Sequence, residues 1–240
     1  MGRGVVDLEA LAASGATVLM HRANDAKTAR AVFALGIDVL CIRAESMDDV
    51  ALTLRLLGRY FGREARAEEV IAYMDAKFAS VDGIVAGIPE SERVTALVMG
   101  GEKGRVAGED MLQTWMIEKA GGIRNNSNWT QAGVETVFAL DPDYLFLTSS
   151  TPLDYTASEL MTDPTWSAMA CVRGDHVRQL PARIDSWDLP GVVSVIGTFW
   201  MLRQMYPAYF SAEELQQEID EYYAFLLGRT FTAEELGYEP

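Results

Sequence analysis

Short apolar runs alternate with amphipathic stretches along most of this chain. Thr17–Met20 (TVLM) and Asp38–Ile42 (DVLCI) each follow a helix-like stretch and a turn residue, Gly15 or Gly36. The same style returns at Val94–Met99, Asp143–Thr148 and His176–Leu180. Short apolar strands separated by helices predict parallel sheets covered on both faces.

Between the two groups of strands, residues 47–87 read as helical. Ser46 followed by Asp49 has the form of a capping box, and Leu52, Leu56 and Tyr60 recur at helical spacing. Gly58 and Gly62 interrupt the pattern, which predicts one helix to about Phe61 and a second from about Arg63 to Ala86. The second carries the stripe Val70, Met74, Phe78 and Val81, which must lie on other apolar surface. An ordinary core helix and a rigid connector between two lobes both fit it.

A weak internal repeat supports two lobes. Leu8–Met20 can be laid on Glu135–Leu147 without a gap, each copy reading as helix, tight turn and strand, once on either side of the long helix. The second lobe opens with a further strand (VTALVM) and a helix from about Glu109 to Ala120, which have no counterpart before the first copy. The expected fold is therefore α/β, two Rossmann-like lobes bridged by a long helix, with the N-terminal lobe incomplete. Residues 1–62 would form the partial lobe, 63–88 the connector and 89–240 the fuller lobe. Two strands with open edges and an uncovered Leu52–Leu56–Tyr60 stripe predict a homodimer through residues 1–62, or a loosely held lobe.

Charge narrows the function. A formal net charge of −15 argues against nucleic acid and anionic lipid as partners, since both are held by Lys and Arg. No apolar run reaches the about 18 residues needed to cross a membrane. The start MGRGVVDLEALAAS lacks the charged-then-apolar form of a signal peptide. Cys41 and Cys171 lie in apolar surroundings without a CxxC or a neighbouring His, so both are expected to be core thiols, with no metal site. No Gly-x-Ser-x-Gly, His-Glu-x-x-His or Cys–His proximity supports an enzyme. The acidic pairs Asp48-Asp49, Glu68-Glu69 and Glu213-Glu214 fall at helix starts or on solvent faces.

Four segments carry a resemblance. TQAGVETVFALDPDYLFL resembles the helix–turn–strand signature of the ABC-transporter binding proteins for iron–siderophore, haem, cobalamin and related ligands. CVRGDHVRQLP is similar to the strand and turn that follow in that family, and AGEDMLQTWMIEKAGGIRN to its helix ending in Ala-Gly-Gly. SWDLPGVVSVIGTFWMLRQMYPAYF resembles its C-terminal helix, entered through Trp and Pro-Gly. The resemblance covers about Asp7 to Leu236 and departs from the family in the missing N-terminal portion, which would carry the export signal and the first strands. It implies a metal chelate bound in an interlobe cleft, an ABC permease as partner, an extracytoplasmic location and no cofactor. An oxyanion such as molybdate as ligand, or a non-binding α/β interaction module, are the alternatives.

Ligands of open α/β sheets bind outside the carboxyl ends of the strands. That rule selects the loops His21–Ala23, Ala44–Ser46, Met99–Arg105 and Ser149–Thr151. In them the candidate contacts are His21 and Arg22 after the first strand, and Gly101 and Glu102 in Met99-Gly-Gly-Glu-Lys-Gly-Arg-Val-Ala-Gly, which reads equally as a ligand contact or a plain loop. His21 suits a metal and His21 with Arg22 an anionic chelate, although a lone His is more often structural. Arg183 could clamp carboxylates, and Trp187 and Trp129 could stack on a flat ligand or pack on their own lobe. Trp115, Trp166 and Trp200 lie on apolar faces and are expected in the core, and His176 has no assigned role. The Asn125-Asn-Ser and Asn128-Trp-Thr patterns are discounted as chance matches.

Overall fold

A computed structural model describes residues 6–124 and 133–238. They divide into two compact units, the first ending at Glu69 and the second starting at Val70. Each unit has its own sheet, of two and four strands respectively, among the described residues.

In the first unit, α1 (Leu8–Ala13), β1 (Val18–Arg22), α2 (Ala26–Phe33), β2 (Asp38–Ile42) and α3 (Met47–Phe61) follow in order. The strands pair in parallel, Val18 beside Asp38 and Arg22 beside Ile42. Asp7, Asp25 and Ser46 cap the three helices through side-chain oxygens that accept backbone N–H groups. The capping box at Ser46 is only half formed. Ser46 accepts from the Asp49 N–H, but the Asp49 carboxylate turns instead to Arg43 Nε (2.7 Å) and the Glu45 N–H (3.1 Å). A guanidinium is the stronger partner for a buried carboxylate, so the ion pair wins. Gly58 stays inside α3, and the break falls at Gly62, whose φ of 62° closes the helix.

The long helix α4 (Glu64–Ala86) begins in the first unit and continues through the second. Its stripe Val70, Met74, Phe78 and Val81 is buried. Phe78 meets Trp115 of α5 (Leu112–Lys119) edge-on at 5.1 Å. Tyr73 stacks on Tyr222 and Phe225 of α10 (Ala212–Leu227), beside Lys77, which pairs with Glu218 (2.5 Å) and Glu221 (2.9 Å).

The second unit holds β3 (Thr95–Met99), β4 (Ile123–Arg124), β5 (Tyr144–Leu147) and β6 (Val177–Gln179), all parallel, in the order β4-β3-β5-β6. The two-residue β4 lies in a stretch that shows no strand pattern in the sequence. On one face Leu97, Met99, Leu145, Leu147 and Val177 pack with Val137 of α6 (Val134–Leu140), Leu160 of α7 (Ala157–Thr162), Trp166, and Cys171 of α8 (Ala170–Arg173). On the other, Phe146 packs on Trp200 of α9 (Ser194–Met205) at 5.7 Å. Every residue of β5 is buried, because helices cover both faces of its sheet. Each large side chain so enclosed contributes about 1.5–3 kcal/mol. The short α11 (Ala233–Leu236) is the last element among the described residues.

The repeat seen in sequence is a repeat in structure. α1 and β1 correspond to α6 and β5, with a positive-φ turn residue in each copy, Gly15 (73°) and Asp141 (39°). Cys171 is buried, as expected, but Cys41 is exposed. β2 is an edge strand of a two-stranded sheet and leaves the Cys41 side chain accessible, so the core expectation fails there.

Candidate ligand-binding face

The strand order of the second unit reverses between β3 and β5. β3 is followed by β4 on one side and neighboured by β5 on the other, so the loops leaving β3 and β5 flank a switch point, where open α/β sheets bind ligands.

The loop after β3 turns back tightly. Gly100 N–H donates to Arg105 C=O (2.6 Å), and Met99 bridges Val106. Gly104 has φ 86°, and a Cβ there would lie 2.5 Å from Val134 N, so only glycine fits against the start of α6. Tyr155 Oη donates to Gly100 C=O (2.6 Å) and Asp154 N–H to Gly101 C=O (3.0 Å), which pins the loop to the segment after β5. Gly101 is half-buried and Glu102 is exposed.

The loop after β5 is organised by Asp188, which is fully buried. Its carboxylate accepts from Thr148 Oγ1, Ser149 Oγ (2.7 Å), Ser149 N–H (3.2 Å) and Ser186 Oγ (3.0 Å). Since the Thr148 proton is spent on Asp188, Ser150 Oγ must donate to Thr148 Oγ1 (2.8 Å). Ser150 N–H also donates to Thr148 Oγ1 (3.1 Å), and Thr148 N–H to Met99 C=O (3.0 Å). All three N–H and all three O–H donors of Thr148–Ser150 are therefore used within the protein, and the part-buried Ser149 and Ser150 hydroxyls have only oxygen lone pairs left to offer. Gln113 Nε2 fixes the backbone beneath by donating to Asp188 C=O (2.8 Å).

The sequence-selected residues fall in different places. In the first unit His21 Nε2 meets Asp25 Oδ2 at 3.1 Å, and Arg22, next along β1, is exposed. Asp25 also caps α2 by accepting from Thr28 N–H. That bond and the His21 contact bring its carboxyl down from an ordinary 3.8 to about 2. Trp187 is 1% exposed and packs on Tyr238 at 5.4 Å. It is a core residue here, with no free face for stacking. Arg183 is exposed, and its Nη1 donates to Glu234 C=O (2.6 Å), so it serves to hold the C-terminal segment. Trp129 and both Asn-x-Ser/Thr patterns lie outside the described residues. Trp166 and Trp200 are buried and Trp115 is half-buried. His176 stacks on Tyr144 at 4.1 Å. The sequence does not mark Asp188 as an organiser, because Thr148 and Ser149 lie about forty residues away and only folding joins them to it.

Parallel sheets with hydroxyl- and glycine-lined strand ends are an architecture in which small molecules bind. The chain belongs to the periplasmic binding protein family, whose model matches residues 5–184. It is a solute-binding protein of the kind that serves ABC transporters. No curated protein matches it in sequence. Among solved structures it is similar to a periplasmic solute-binding protein from Veillonella parvula, with 22% identity and a TM-score of 0.81, covering 97% of this chain and 72% of that one. It also resembles a molybdate periplasmic binding protein from Haemophilus influenzae, solved with molybdate bound (15%, TM-score 0.80, 95% and 77%). A third likeness is to an Fe³⁺-hydroxamate transport protein from Saccharomonospora viridis (23%, TM-score 0.64, 85% and 73%). At these identities the likeness is one of fold. Among the described residues no helix is long and apolar enough to cross a membrane.

Proposed function

We propose that this protein binds an organic metal chelate outside the cytoplasm and presents it to an ABC permease, without catalysing a reaction. The observation that carries the reading is the inward commitment of every donor in Thr148–Ser150. A surface of acceptor lone pairs favours a ligand whose periphery carries N–H or O–H groups, such as the amide N–H groups of an organic chelate, over a bare oxyanion such as molybdate, which offers acceptors only. Ligand contacts are proposed at His21, Arg22, Gly101 and Glu102, which leave the carboxyl ends of β1 and β3. The long helix α4 is proposed as the rigid connector between the two lobes.

Thermal melting with ferric hydroxamates, ferric catecholates, haem, cobalamin and molybdate tests the reading, since ligand bound only by the folded form raises Tm. A rise with a chelate and none with molybdate is expected. A rise with molybdate alone would overturn it.

Self-association through residues 1–62 belongs to the same proposal. Met20 (43%), Phe33 (66%), Leu52 (59%) and Phe61 (58%) leave that unit with exposed apolar side chains, which supports a second copy of the chain as their cover. Light scattering showing a monodisperse monomer at working concentration would count against it.

A further inference from the structure

A groove of about 750 Å³ runs beside β6, the edge strand of the four-stranded sheet. That volume falls in the range of small-molecule sites, about 300–1,000 Å³. None of its lining residues belongs to the loops after β3 and β5. Its wall is formed by Tyr144, His176, Arg178, Trp200, Arg203 and Gln204.

Trp200 and Arg203 stand three residues apart on α9 and so share one helix face. Trp200 Nε1 and Arg203 Nε are both buried N–H donors with no acceptor among the described residues. Buried donors are nearly always paired, so two orphans on one face of one groove call for an acceptor from outside the chain. Nor is an acid at hand to serve them. Asp143 accepts from Thr95 N–H and Oγ1, both at 2.8 Å. Asp175, 3.7 Å from Arg178 Nη1, is largely exposed. Burial pushes the Tyr144 hydroxyl up, and the charges of Arg178 and Arg203 both act against that push, so both guanidiniums bear on the same end of the groove. The part-buried lysines of the unit differ: Lys77 and Lys119 are held by Glu218, Glu221 and Asp82. In a chain with 35 acidic residues against 20 basic ones, a part-buried arginine facing a groove whose acidic lining residue, Asp175, is largely exposed is a poor accident and a good anion site.

We infer that this groove binds a small oxyanion, a carboxylate or a phosphoryl group, with Arg203 Nε and Trp200 Nε1 as buried donors and Arg178 as the second cation. Guanidinium and indole N–H groups supply donors only, which selects an acceptor-rich anion and rejects cations. The inference does not depend on what the strand-end loops bind.

The test is a titration of the full chain with inorganic phosphate and, separately, citrate at constant ionic strength, with chloride as the reference, read on the indole N–H resonances. Trp200→Phe assigns the Trp200 signal by its loss. That signal is expected to move saturably with at least one of the two anions, and the one that moves it distinguishes a phosphoryl from a carboxylate ligand. Arg203→Lys keeps the charge but removes Nε, and should weaken binding about tenfold to a hundredfold, the worth of one hydrogen bond to a charged group. A Trp200 signal that moves with neither anion beyond the chloride reference overturns the inference. So does an Arg203→Lys variant that melts like the parent and binds as tightly. If that variant fails to fold, the titration of the parent chain decides alone.

Discussion

Replacing Asp188 by alanine isolates the carboxylate on which the strand-end loop depends. Four donors lose their acceptor, but not equally. Ser149 Oγ can turn to Pro181 C=O (3.3 Å) and Ser186 Oγ to Ser149 Oγ (2.8 Å), so both find a substitute. The Thr148 hydroxyl is buried and the Ser149 N–H is fixed by the backbone, so these two are stranded. Each buried unsatisfied group costs about 1–3 kcal/mol. Removing a buried charge returns part of that, since its own desolvation no longer opposes folding. A net loss of about 2–4 kcal/mol is expected, with Asp188→Asn losing roughly half as much because one acceptor oxygen remains. Urea unfolding followed by tryptophan fluorescence and circular dichroism measures it, and the midpoint should fall with the slope unchanged. A variant within about 0.5 kcal/mol of the parent, a change typical of an ordinary surface position, would refute the account of Asp188 as organiser.

Other consequences are checked more briefly. Lys77→Met strands Glu218 and Glu221 beside an apolar side chain and should cost about 1–2 kcal/mol, less than a fully buried pair because both acids can reach water. Adding Glu218→Gln should recover part of that loss in the same unfolding assay. The depressed carboxyl of Asp25 contributes stability that is complete above about pH 4 and fades as pH falls towards 2, so Asp25→Asn should flatten the acid limb of a Tm–pH profile in that window. Gly104→Ala forces a positive φ and a clash with Val134, and a loss of about 1–3 kcal/mol is expected from thermal unfolding.

Much of this fold is legible in the pattern of apolar runs. The five predicted strands form within two residues of their expected ends, and the helix break at Gly62 falls where the spacing put it. Those features are local, since a buried strand or a capped helix writes its own period. What escaped was set by distant partners. β4 is two residues long and exists because Thr95 and Ala96 offer it an edge. Asp49 reads as a helix-start acid until Arg43 is folded beside it. Trp187 and Arg183 read as ligand groups because they sit in a loop, yet Tyr238 and the Glu234 carbonyl, some fifty residues on, occupy them. The hydroxyl cluster was visible only as Thr-Ser-Ser in one loop and Ser-Trp-Asp in another, with nothing in either to join them.

The unequal burial of the two cysteines makes the chain its own chemical clock. Cys41 is open to reagent, whereas Cys171 is sealed in the second unit and burial pushes its thiol up to about 11. A thiol reagent near neutral pH should therefore modify one cysteine promptly and leave the other waiting on an opening of the core. The first reaction gives a single attachment point for a dye on β2. The second gives the rate at which the interior of the C-terminal unit becomes accessible, read from one sample without substituting any residue.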